Sequence, residues 1–138
     1  MQVDLYEGKK YPHGILASHR RAHGYVSVYE ELQPVVRALK THHDMNVREV
    51  SGTHRLLAAF PYKVRTETLG WDDQAAIIRL RYGAGRLFVI TSGKKDENIL
   101  DLDNGDWAYV PAGIHFQMEG TVISGMNLQL HVGAVRPM

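Results

Sequence analysis

The stretch Ala75-Ala76-Ile77-Ile78-Arg79-Leu80-Arg81-Tyr82-Gly83-Ala84-Gly85-Arg86-Leu87-Phe88-Val89-Ile90 decides the fold. In an extended chain successive side chains point to opposite faces, so Ala76, Ile78, Leu80 and Tyr82 share one face while Arg79 and Arg81 share the other. Gly83-Ala84-Gly85 interrupts this pattern, and Arg86 to Ile90 resumes as a denser apolar strand. No helical segment follows the glycines, so they read as a turn rather than a phosphate-cradling loop.

The same reading extends in both directions. Upstream, Tyr62, Val64, Thr66 and Thr68 oppose Lys63, Arg65 and Glu67; downstream, Met126, Leu128, Leu130 and Val132 alternate with Asn127, Gln129 and His131. Asn104-Gly105 is a two-residue hairpin signal. Roughly seven or eight short strands separated by turns predict a mainly β fold, an antiparallel jelly-roll-like sandwich or small barrel. One helix belongs to the N-terminal third. Leu32, Val35, Val36 and Leu39 recur on one helical face, which places a helix over about 28–42. Ser27 and Glu30 have capping-box spacing, but Pro34 would kink a helix begun there, so a start at Pro34 is the other option. Met1 to His23 show neither period. The expected organisation is an arm over 1–24 and one domain over 25–138.

The chain has 138 residues and no cysteine, which fits one domain and excludes disulfide scaffolds, thiolate metal sites and cysteine nucleophiles. Its 16 basic and 15 acidic side chains nearly cancel. They are unevenly spread, at +2 over residues 1–48, +4 over 49–95 and −5 over 96–138. Opposite signs can therefore meet within one fold or between copies, and the expected partner is another copy or a larger protein assembly. Neither an N-terminal apolar run nor an apolar membrane-length segment is seen, so no signal peptide, no membrane contact and a cytoplasmic or virion location are expected.

Gly105-Asp106-Trp107-Ala108-Tyr109-Val110-Pro111-Ala112-Gly113-Ile114-His115-Phe116 resembles the second motif of the cupin family, a small jelly-roll barrel. That motif runs glycine, five residues, proline, one residue, glycine, two residues, histidine. Gly105, Pro111 and Gly113 keep the spacing; His115 falls one residue early, and Phe116 takes the ligand position. Ending the family's first motif at Gly93 puts Arg79 and Arg81 where its histidines belong and Arg86 where its glutamate belongs. Arginine stays protonated and does not ligate metal, so the resemblance implies the fold without a metal site, and no cofactor is expected. Arginines turned inward would suit a phosphate or carboxylate. Alternation instead makes the Ala76, Ile78, Leu80, Tyr82 face the inward one.

Other candidates are weaker. His19 and His23 are four apart, and His42-His43-Asp44 offers imidazoles for a metal, but no metal site is expected, because His42 and His43 read as exposed polar residues at a helix end, with a metal as the alternative. Asp101, Asp103 and Asp106 surround the turn at Asn104-Gly105 like a calcium loop; Ala112 stands where the glutamate of an EF-hand would be, so a solvated hairpin is expected. Lys63, Arg65, Arg79, Arg81 and Arg86 interleave with Tyr62, Tyr82 and Phe88, yet alternation spreads them over two faces, and nucleic-acid binding is not expected.

Two functions follow. The first is a non-enzymatic structural or assembly protein that acts through protein contacts, of the kind that single jelly rolls serve in capsids and capsid decoration. The second is a cupin-like enzyme or small-molecule binder for an anionic sugar or acid, using Arg79, Arg81, Tyr109 and His115, with His115 as general acid or base.

Overall fold

A computed structural model describes residues 8–21, 33–59, 65–120 and 128–137. The elements are β1 (Lys9–Lys10), a single 3-10 turn at Pro12–Gly14, β2 (Leu16–Ser18), α1 (Gln33–His43), β3 (Val47–Ala59), β4 (Ala75–Tyr82), β5 (Gly85–Val89), β6 (Glu97–Leu102), β7 (Trp107–Val110), β8 (Phe116–Gly120) and β9 (Leu128–Pro137). They form two antiparallel sheets, one in the order β1-β2-β7-β4-β9-β3 and one in the order β6-β5-β8. Over the described residues the chain is mainly β with one α-helix, as the sequence pattern predicts.

Strand period sorts the side chains into two cores. Ala76, Ile78 and Leu80 of β4 and Ala108 and Val110 of β7 join Leu87, Val89, Leu100, Leu102, Phe116 and Met118 from the smaller sheet in one buried cluster. The odd-numbered neighbours Ala75, Ile77, Trp107 and Tyr109 join a second cluster with Val35, Val36, Ala38 and Leu39 of α1. The helix therefore covers the outer face of the larger sheet with the apolar stripe that its i, i+3, i+4 spacing supplies. Its start agrees with the option at Pro34; residues 28–32, where the other option begins, lie outside the described residues. At its end Asp44 takes a left-handed conformation (φ 52°), and the Met45 amide donates to the Leu39 carbonyl at 3.1 Å.

Three expectations change, and one open alternative closes. The stretch read as an arm enters the sheet over its described part: Leu16, Ala17 and Ser18 pair with Tyr109, Ala108 and Trp107, and β1 pairs with β2. A three-residue strand is too short to show a period. The alternation at 62–68 yields isolated bridges, Arg65 to Glu119 and Leu69 to Phe116, over its described residues. Asn104-Gly105 does turn the chain, with Gly105 at φ 83°, but β6 and β7 belong to different sheets, so it is a corner between layers and not a hairpin. The Asn104 side chain accepts the Gly83 amide at 2.6 Å, which ties this corner to the β4–β5 turn.

The alternative that closes concerns charge. Arg65 pairs with Asp96 and, at 3.2 Å, with Glu119; Arg86 lies 3.5 Å from Asp101, and Arg21 pairs with Asp103. The basic and acidic stretches thus meet within one chain, an alternative that the charge split left open.

Candidate functional site

The residues named from sequence fall in three places. Arg79 and Arg81 are on the outer face of β4, each 1% exposed, with Arg79 in register with Trp107 on one side and His131 on the other. The face is the one that alternation assigned, but it is buried rather than open to solvent. Burial pushes the Arg81 guanidinium below its ordinary pKa. Tyr109 is on the same face of β7, nearer the end of α1. His115 lies elsewhere, in the approach to β8, its Nε2 3.0 Å from the Asp72 carboxylate in an exposed pair. The four do not converge on a barrel mouth.

The position where the family motif has its ligand is inside the barrel. Phe116 is fully buried there, paired with Val89 across β5, and its amide and carbonyl both bond to Leu69, at 3.0 and 2.7 Å. With Met118, Leu80, Leu87 and Leu102 it makes the space between the sheets an apolar core. His42 is exposed, while His43 faces a cleft on the outer side. Among the described residues no three His, Asp or Glu side chains stand together as a metal site.

Sequence reasoning missed two features. The first is a part-buried relay that ends on a buried carboxylate. Asp106 is fully buried and accepts the Asp103 amide at 2.9 Å and the Arg21 amide at 2.8 Å. Its Oδ2 also lies 3.2 Å from His19 Nδ1, and His19 Nε2 is 2.6 Å from the Tyr11 hydroxyl. A carboxylate at Nδ1 calls for a proton on that nitrogen, which leaves Nε2 to accept from the tyrosine. The Tyr11 phenol sits above its ordinary pKa, first because it is buried and second because Asp106 is near, with Arg21 opposing. The acidic loop is therefore not a solvated hairpin, since its last member is a buried hub. The His19 to Asp106 contact spans 87 positions, and no local signal announces it.

The second is the cleft itself, about 400 Å³, outside the barrel between β1 and β2, the end of α1 and β7. Tyr11, Leu16, Met45, Tyr109 and Pro111 line it, with Lys10 and His43 as its basic groups. Burial pushes the Tyr109 phenol above its ordinary pKa, so the hydroxyl is protonated at neutral pH.

No known family pattern matches the sequence, and no curated protein is similar to it. Solved structures are similar in shape. The cupin domain of Drosophila melanogaster CENP-C superposes with a TM-score of 0.50 and 10% identity over 97% of this chain and 72% of that one. A second structure of that Drosophila protein gives 0.50 and 11% over 61% of this chain and 59% of that one. BH2720 from Bacillus halodurans gives 0.50 and 13% over 62% of each chain. In the last two, this chain spans less than two thirds of the other's length. Two antiparallel sheets enclosing an apolar core, with these likenesses in shape, give the chain a cupin-like jelly-roll fold.

Proposed function

We propose that the chain is a non-enzymatic cupin-like domain that works through protein contacts in a homo-oligomer or larger assembly. The observation that carries this reading is Phe116. It fills the barrel at the position where the family motif has its ligand, so the interior serves packing rather than chemistry. Arg79 and Arg81 on the outer face of β4, with His115 instead paired to Asp72 ahead of β8, support the same view.

Assembly contacts then come from the outside. Surface ion pairs within the chain already account for Arg65, Arg86 and Arg21, so complementary charge between copies is a smaller part of the reading than the sequence suggests. β3 is 13 residues long and lies at the end of the six-strand order, where a long edge strand is a ready template for pairing. A capsid-decoration role is one form that such an assembly could take.

Light scattering across a series of salt concentrations tests the proposal. A mass above that of one chain is expected, and it should be unchanged by His115→Ala. A monomer at every salt concentration overturns the reading.

A further inference from the structure

The outer cleft holds an arrangement that neither packing nor assembly uses. Tyr109 lines the cleft with 8% of its surface exposed, and its hydroxyl makes no hydrogen bond among the described residues. The Tyr11 hydroxyl is different, because its proton is committed to His19. Lys10 is exposed at the rim and makes no ion pair among the described residues, and no Asp or Glu lines the cleft there. Leu16, Met45, Pro111 and the ring of Tyr11 give the cleft an apolar wall, and the His43 imidazole also lines it. At about 400 Å³ the space lies within the range of small-molecule sites, roughly 300–1,000 Å³.

We propose that this cleft binds a small carboxylic acid with one carboxylate and an apolar body. The carboxylate takes the hydrogen bond of the Tyr109 hydroxyl and the charge of Lys10, and the body lies against Leu16, Met45 and Pro111. A hydroxyl free to donate at the cleft wall and a cation without a nearby carboxylate among the described residues favour an anion. The apolar walls favour a ligand whose other end leaves water. The relay through His19 and Asp106 holds the Tyr11 ring in place as one wall.

The test is titration of the full chain with sodium phenylacetate, followed by amide chemical shifts. Phenethyl alcohol serves as the neutral analogue and inorganic phosphate as the charge without the apolar body. Saturable shifts are expected at residues 9–16, 43–45 and 107–111. Tyr109→Phe and Lys10→Met should each weaken phenylacetate binding about tenfold. Phenethyl alcohol and phosphate should each bind about tenfold or more weaker than phenylacetate. The amide spectrum of each variant reports whether it is folded. Absence of saturable binding, equal binding of phenethyl alcohol or of phosphate, or two folded variants that bind as the parent does would each overturn the proposal. The site is built within one chain, so a monomer that binds phenylacetate overturns the assembly reading and leaves this one intact.

Discussion

The two faces of the six-stranded sheet are built from alternate residues of the same strands and solve different problems. Toward the smaller sheet, Ala76, Ile78, Leu80, Ala108 and Val110 join one apolar cluster with that sheet's side chains. On the opposite face, the same strands present Arg79, Arg81, Trp107 and Tyr109, all buried and all bearing polar atoms. A buried polar atom needs a partner, so this face has to be satisfied by neighbours, whereas the inner face only has to be filled. A jelly roll that has filled its interior can thus still hold chemistry in the layer behind its sheet.

The most forceful way to break this contrast is to empty the inner face. Phe116→Ala should cost about 3–5 kcal/mol in urea unfolding, because its surroundings come from two packed sheets and can relax little. A loss under about 1 kcal/mol would mean that the interior is not close-packed.

On the other side, Asp106→Ala should cost about 3 kcal/mol, since the Arg21 and Asp103 amides and His19 Nδ1 lose an acceptor together. Hydrogen exchange should also rise at residues 19–21 before it rises in β4. Uniform exchange across both would show that the relay is no separate unit.

The smallest effect sharpens the comparison. At neutral pH Tyr109→Phe should change stability by less than about 0.5 kcal/mol, because the hydroxyl it removes makes no hydrogen bond among the described residues. The raised Tyr109 and Tyr11 phenols give a sign for alkaline pH. A folded pKa above the unfolded value means that the folded chain holds the proton more tightly, so the contribution is present below the ordinary tyrosine value near 10 and is lost as pH rises through the folded value. Urea unfolding at pH 9 and pH 11 should show stability falling, and Tyr109→Phe should make the fall shallower. An unchanged slope in the variant would show that Tyr109 is not buried as described.

The inner face was legible because strand period marks it directly. Ala76, Ile78 and Leu80 against Arg79 and Arg81 needed no tertiary knowledge, and a solvent-facing or partner-facing side was the ordinary expectation for the arginines. That they are buried depends on what packs over β4. The motif from Gly105 to Phe116 gave the jelly roll through its turn glycines and Pro111, which are local features. The Asn104-Gly105 turn was visible, but whether a turn joins paired strands or two sheets depends on pairing that alternation does not encode. The cleft was least legible. Lys10, Met45 and Tyr109 lie on three separate elements, and β1 and β2 are too short to show a period.

The shortness of β1 has its own consequence. It closes one side of the larger sheet with only two residues, both lysine and both exposed. A stub of two like charges gives an approaching strand little backbone to pair with and repels a second copy of itself, which is how natural sheets stop end-to-end growth. Residues 9–18 therefore act as a guard over the apolar strand Trp107–Val110. A chain shortened past Ser18 would present that strand bare, and its failure would be seen as aggregation rather than as loss of fold.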